Sequence, residues 1–410
     1  MSMRPITVKN HKPRALLLEN VHPGAAARLR SAGFDVESLA QSLDEDPLCR
    51  KLHGISVLGI RSKTKVTPKA LAVANDLVAV GAFCIGTDQI DLTASARKGV
   101  AVFNAPYSST RSVVEIILGE ILLLARGVFS KSQKLHRGVW DKSATGSNEI
   151  RGKKLGIIGY GKIGSQLSVL AESLGMEVYF YDLEVKLVLG NAKKCRSLAQ
   201  LFALADIITV HVDGRKENHG IIGRAQFRQM KPGVIFLNAS RGFVVDDQAL
   251  AENLKSGTVR AAAIDVFPRE PKANDEKFSS PLQGMDQVIL TPHVAGSTEE
   301  AQQDIGSFVS ERIVDYAHDG NTLYSVNFPN VQLPKVKNAH RLIHIHENIP
   351  GMLAQINHVF AAHKANILGQ FLKTTDTIGY AITDIGTTYR EKILNDLREI
   401  PHTIKFRVLY

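Results

Sequence analysis

The sequence predicts an α/β protein built on a doubly wound parallel sheet, on three observations. A short apolar run at 154–158 leads into Gly159-Tyr160-Gly161-Lys162-Ile163-Gly164. A helix-spaced stretch at 165–174 follows, then a second apolar run at 177–181 that ends in Asp182. Short apolar segments alternate with helical ones on either side of this unit, the pattern of strands buried under helices on both faces. Beyond residue 338 the order becomes strand, helix, strand, strand, helix, strand, which is the ferredoxin-like plan.

In chain order, the first hundred residues give strands at 14–19 (RALLLE), 55–60 (ISVLGI), 77–80 and 100–104. Helical stretches separate them, and Thr67-Pro68 makes a helix start. Together they form a small flavodoxin-like α/β domain. A helix is expected from about Ser112, then a loop through Trp140, then the glycine-rich unit. The sheet continues with strands at 206–212, 233–238, 261–266 and 287–291, and a helix begins near Asp246. A periodic helix at 298–318 is long enough to return to the first domain. That domain is therefore expected to be discontinuous, residues 1–106 with 302–328, around a Rossmann-type nucleotide domain at 107–301. Residues 329–338, with Pro329 and Pro334, read as a linker. The module at 339–410 has its elements at 341–346, 350–363, 367–374, 378–384, 389–400 and 403–409.

Composition narrows the function classes. A length of 410 residues suffices for two or three domains, and 44% hydrophobic with 22% charged residues is ordinary for a globular protein. The longest apolar candidate, 113–124, is interrupted by Glu115 and Glu120 and suits a buried helix rather than a membrane span. The N-terminal residues are polar and basic without an apolar h-region, so no secretory signal is expected. Cys49, Cys84 and Cys195 are widely spaced, which predicts free thiols, no metal site and a cytoplasmic setting. The net charge of +10 comes from dispersed Lys and Arg. It suits attraction of small anions better than nucleic-acid binding.

The glycine run sits in the context a dinucleotide site requires. Gly159 permits the tight turn, Gly161 admits the pyrophosphate, and Gly164 lets helix and strand pack closely. Asp182 would accept hydrogen bonds from the adenosine ribose and repel a 2′-phosphate. The cofactor expected is NAD rather than NADP.

Three later strands end in NASRG (238–242), DVFPREP (265–271) and TPHVAGST (291–298). Ligands in open α/β sheets lie beyond the carboxyl ends of the strands, so Arg241, Glu270 and His293 are expected to converge near the nicotinamide. Removing hydride from an alcohol carbon requires removal of the hydroxyl proton, a task for His293. Glu270 would orient the imidazole and favour its protonated form. Arg241 would hold a substrate carboxylate in its planar fork, and Asp265 would accept from the nicotinamide carboxamide. Arg61, following a strand, is a candidate for a substrate phosphate across the cleft, or else a surface arginine. The turn 81–86 would offer backbone N–H groups to a carboxylate, or else simply join strand to helix.

With these motifs, the chain resembles the D-isomer-specific 2-hydroxyacid dehydrogenases, in the branch that carries a C-terminal ACT domain. Further matches are IRSKT at 60–64, VGAFCIGTDQIDL at 80–92, FNAPYSSTRSVVE at 103–115, HRGVW at 136–140 and HIHENIPG at 344–351. The resemblance implies NAD-dependent oxidation of a phosphorylated 2-hydroxy acid, 3-phosphoglycerate, at the entry to serine synthesis, with side activity on 2-oxoglutarate. It implies catalytic roles for Arg241, Glu270 and His293. The cofactor positions it implies are Gly159, Gly161, Lys162, Ile163, Gly164, Asp182, Ala239, Ser240, Arg241, Asp265, His293, Val294, Ala295 and Gly296. For substrate it implies Arg61, Cys84, Ile85 and Asn104, with Trp140 and Lys142 reaching a neighbouring subunit of a homotetramer. In the ACT domain it implies an L-serine site at His346, Asn348 and Asn366, although the same residues suit the cap of the helix near Pro350. The sequence departs from the family at Ile349, where many relatives carry a basic residue, and in a short loop at 385–390. Two rival readings are a dehydrogenase of another D-2-hydroxy acid and an NAD-sensing corepressor.

Overall fold

The computed structural model describes residues 12–271, 276–386 and 391–410. The chain forms two compact units, one of residues up to Ser108 together with those from Gln302, the other Ser109–Ala301.

The first unit opens with five parallel strands: β1 (Arg14–Leu17), β2 (Asp35–Ser38), β3 (Ile55–Ile60), β4 (Ala79–Ala82) and β5 (Ala101–Asn104), in the order β2-β1-β3-β4-β5. Strands β4 and β5 are buried throughout, so their sequences are apolar without alternation. The edge strand β2 was not anticipated; its sequence DVES is polar and mostly outside the core. Gly81 lies within β4, so the turn expected at 81–86 begins only after Ala82.

The second unit carries β6 (Lys154–Ile158), β7 (Glu177–Tyr181), β8 (Lys193–Lys194), β9 (Ile207–Val210), β10 (Val234–Asn238), β11 (Val259–Ile264) and β12 (Val288–Leu290). All are parallel, in the order β12-β11-β10-β9-β6-β7-β8. The chain reverses direction of growth between β6 and β9, the position at which doubly wound sheets bind ligands. Helix Thr110–Arg126 packs its apolar face on this sheet and ends at Gly127 in the left-handed conformation. A second helix, Val128–His136, replaces the loop expected there; none of its residues is buried, which removed the apolar period that would have announced it.

The remainder of the first unit is β13 (His340–Glu347), β14 (Ile367–Thr374), β15 (Ile378–Ile385) and β16 (Thr403–Val408), antiparallel in the order β14-β15-β13-β16. Helices Met352–Ala362 and Glu391–Arg398 cover one face through Met352, Ile356, Phe360, Ile393 and Leu397. Helix Glu391–Arg398 was expected to begin at Tyr389, a residue outside the described set. The other face joins the core of the five-stranded sheet, where Ile343, Ile345 and Tyr380 pack with Tyr316, Phe328 and Phe103. The segment expected as a linker is pinned. Arg341 is fully buried against Asp384, donating at 2.7 Å to each carboxylate oxygen. Its other donors reach the carbonyls of Asp319, Leu333 and Pro334, so all five guanidinium N–H groups are used. No described helix is long and apolar enough to cross a membrane.

Candidate active site

The glycine loop follows β6 at the reversal point. Gly159 has φ +91°, and a Cβ there would lie 2.6 Å from the carbonyl oxygen of His211. A Cβ on Gly164 would meet the Gly159 carbonyl oxygen at 2.4 Å. Gly161 faces open space and caps helix Lys162–Ser173 without a side chain. The first N–H groups of that helix, which includes Lys162 and Ile163, are therefore directed at the position of a phosphate. The Asp182 carboxylate, at the end of β7, accepts from the backbone N–H of Tyr160 at 2.8 Å and of Glu184 at 2.9 Å. It ties the loop to the neighbouring strand, a role its expected ribose contact did not include.

Three strand ends bring Arg241, Glu270 and His293 together. His293 Nδ1 stands 2.8 Å from Glu270 Oε2. The other Glu270 oxygen accepts the Phe267 N–H at 3.1 Å. His293 has φ +55°, and its N–H is held by the carbonyls of Asp265 and Thr291; the ring is thus fixed by backbone on one side and by carboxylate on the other. Burial alone would raise the Glu270 carboxyl. The hydrogen bond and charge of His293, the Phe267 N–H and the Arg241 charge outweigh it and hold the group below its ordinary value. Arg241 therefore acts on the same carboxylate that orients the histidine. Its loop is shaped by Asn238, which accepts from Ser240 N–H and Oγ and donates to the Arg241 carbonyl at 3.1 Å. Ala239 and Ser240 form the bend between.

Asp265 is buried and receives three donors: Thr291 Oγ1 at 2.6 Å, Val294 N–H at 2.8 Å and Ala295 N–H at 3.0 Å. This carboxylate therefore folds the His293–Gly296 loop, in addition to any contact with a nicotinamide. Gly296 packs against Ser109, and Ser112 bonds Thr298 at 2.9 Å. Glu120, in the sequence only an interruption of an apolar helix, was not among the expected site residues. Glu120 is buried, and desolvation, then the Asp265 charge, pushes its carboxyl up to about 8. A lone carboxylate at a core-facing helical position was the available signal.

In the first unit, four expected substrate residues cluster at the ends of β3, β4 and β5. Cys84 Sγ donates to the Arg61 carbonyl at 3.4 Å and to the Gly86 carbonyl at 3.1 Å, and Asn104 donates to the Ile85 carbonyl. Glu19, not anticipated, holds the loop after Arg61 by accepting from Lys63 N–H at 2.9 Å and Thr64 N–H at 2.7 Å. In the second unit Trp140 is 79% exposed, with its loop fixed by Lys134–Asp141 at 2.9 Å; Lys142 lies in the same exposed segment.

The residues expected to hold an amino acid do not all meet. His346 and Asn348 stand where β13 ends: His346 Nδ1 bonds the Glu347 carbonyl at 2.7 Å, its Nε2 is buried without a partner, and Asn348 donates to the Thr375 carbonyl. Asn366 precedes β14, beside Gly386 at the opposite end of the sheet. The two ends are separated by the seven steps from Ile378 to Ile385, roughly 23 Å at the usual strand rise. Ile349 packs against the helix-side core, and the short loop includes 387–390, which lie outside the described residues.

Comparison with known proteins gives matches along the whole chain. The family profile "D-isomer specific 2-hydroxyacid dehydrogenase, NAD binding domain" matches residues 118–295, and "AHAS small subunit-like ACT domain" matches 342–405. The chain is 50% identical over 406 residues to D-3-phosphoglycerate dehydrogenase of Haemophilus influenzae, covering 99% of each protein. It is 47% identical over 411 residues to the Escherichia coli enzyme of the same name, covering 100% of each. Among solved structures, D-2-hydroxyisocaproate dehydrogenase superposes with a TM-score of 0.68 at 27% identity, over 77% of this chain and 99% of that one.

Proposed function

The chain belongs to the D-isomer-specific 2-hydroxyacid dehydrogenases, and from that membership we propose that it oxidises D-3-phosphoglycerate to 3-phosphohydroxypyruvate with NAD, reversibly. The observation that carries the proposal is the Glu270–His293 pair, with Arg241 acting on it, in a chain matched end to end by two D-3-phosphoglycerate dehydrogenases.

NAD fits the residues present: the space over Gly161, which no Cβ fills, suits a pyrophosphate, and Asp182 stands at the ribose end. When bound, NAD supplies the hydride acceptor. With Nδ1–H donated to Glu270, Nε2 of His293 is the acceptor nitrogen. In the proposed mechanism it takes the C2 hydroxyl proton and returns it in the reverse direction. Glu270 holds the tautomer and stabilises the imidazolium that forms. Arg241 binds the substrate carboxylate and the C2 oxygen through its forked donors. The cluster of Arg61, Cys84, Ile85 and Asn104 is assigned to binding the substrate, with Arg61 taking the phosphate charge.

Serine restraint is proposed at the C-terminal domain. Since Asn366 lies far from His346 and Asn348 within one chain, the proposed site forms between two copies lying side by side and antiparallel, so that the Asn366 end of one meets the His346 end of the other. The outermost strand β14, which leaves Leu368 and Phe371 about half exposed, supplies an edge for such pairing. The enzyme is therefore read as a homo-oligomer, a tetramer if Trp140 and Lys142 make a second contact. A substrate profile tests the catalytic assignment. kcat/KM for 3-phosphohydroxypyruvate should exceed those for pyruvate, hydroxypyruvate and 2-oxoglutarate, and Arg61→Gln should erase that preference.

A further inference from the structure

Beside Asp182 lies a cleft of about 400 Å³ lined by Tyr181, Asp182, Leu183, Lys194, Cys195 and Arg196. Its construction follows from the pairing of β7 with β8. Tyr179 stands opposite Lys193 and Phe180 opposite Lys194, and the Cys195 N–H continues the ladder to the Phe180 carbonyl at 2.7 Å. Asp182 and Arg196 therefore leave two parallel strands side by side. That is the end of the sheet at which the adenosine ribose of a dinucleotide sits.

Charge on this wall runs against the simple reading of Asp182. Both its oxygens are held by backbone N–H groups, those of Tyr160 and Glu184, so part of its charge is already compensated. Lys194 and Arg196 are exposed and line the same cleft. Lys194 is anchored there by donating Nζ to the Glu184 carbonyl at 3.1 Å. The exit of Arg196 from its strand is set by its N–H on Gln200 Oε1 at 2.7 Å and by the Ser197 hydroxyl, which accepts the Gln200 N–H. Nearby, Lys186 pairs with Glu184 and Arg215 with Asp213. Those pairs are balanced, while the cleft itself has two cations to one carboxylate.

We infer that Lys194 and Arg196 form a seat for a phosphate on the ribose 2′-oxygen, so that this chain binds NADP(H) as well as NAD(H). A guanidinium fork and an ammonium group on one wall match a phosphate dianion, and they offset the repulsion from Asp182. The inference rests on the reading that the dinucleotide lies over the Gly159–Gly164 loop.

Calorimetric titration of the full chain with NADH and, separately, with NADPH tests it without reference to turnover. Both are expected to bind. In K194Q/R196Q the ratio of NADPH Kd to NADH Kd should rise about tenfold or more, as loss of two charge-assisted contacts implies; Arg196→Lys should restore part of the loss. Thermal melting confirms that these exposed substitutions leave the fold intact. NADH binding without measurable NADPH binding, or a ratio unmoved by the double substitution, overturns the inference and leaves the NAD site standing. Failure of both nucleotides to bind overturns the cofactor reading together with it.

Discussion

Nδ1 of His293 and Oε2 of Glu270 are 2.8 Å apart, and the residues arrive there from different strand ends, β12 and β11. The pair leaves Nε2 as the imidazole nitrogen that the proposed mechanism turns to the substrate. Replacing His293 by Ala should lower kcat about 10²–10⁴-fold while leaving NADH affinity near its original value. Glu270→Gln keeps the shape but removes the charge, and should lower kcat with little change in the KM for NADH. Stopped-flow turnover with nucleotide titration separates the two effects. An unchanged kcat in His293→Ala would place the proton transfer elsewhere.

The Arg241 loop and the Glu270 loop are in backbone contact. A Cβ on Gly242 would lie 2.0 Å from the carbonyl carbon of Phe267 and 2.2 Å from its oxygen. Neither group is a flexible side chain, so the two loops must separate. Gly242→Ala is expected to destabilise the protein by about 1–3 kcal/mol and to lower kcat beyond what the loss of folded protein explains. Denaturant unfolding and turnover of the folded fraction check both.

Glu120 makes stability depend on pH in a particular direction. Its folded-state value, about 8, is raised above the ordinary 4.5, so the folded protein holds this proton more tightly than the unfolded chain. The associated stability is complete below the ordinary value and is lost as pH rises through about 8. Glu120→Gln has no proton to lose. Between pH 5 and 8.5 its Tm should fall less than that of the original protein, and parallel slopes would contradict the assignment.

The buried Arg341–Asp384 pair ties the antiparallel sheet to the segment that leads into it. Asp384→Asn leaves a buried guanidinium without its counter-charge and should cost about 3–5 kcal/mol. Arg341→Met should also be severe, because it strips donors from three carbonyls and leaves Asp384 charged. A loss under about 1 kcal/mol in urea unfolding would mean that water relaxes into the site.

Much of the fold was legible because parallel strands announce themselves as apolar runs and the glycine loop has strict steric demands. Strands 55–60, 154–158, 177–181 and 367–374 fall where the sequence places them. What escaped had no such signal. Strand β2 is polar at the sheet edge, and helix Val128–His136 has no fully buried residue, with only Phe129 packed partly against the core. Nothing in the 341–346 strand signals that Arg341 is buried, because its carboxylate partner Asp384 lies 43 residues away. The same limit applies to the site. Arg241, Glu270 and His293 follow from topology, whereas the capture of Asp265 by Val294 and Ala295 depends on loop geometry that no spacing encodes. The separation of Asn366 from His346 likewise appears only once strand order is known.

The most direct test of the whole account is NADH oxidation with 3-phosphohydroxypyruvate, with and without L-serine, at one enzyme concentration. Fast turnover that L-serine suppresses is the expected result. Turnover indifferent to serine would remove the effector site and keep the enzyme. No turnover, with NADH still bound, would contradict the central claim and move the substrate to another 2-hydroxy acid.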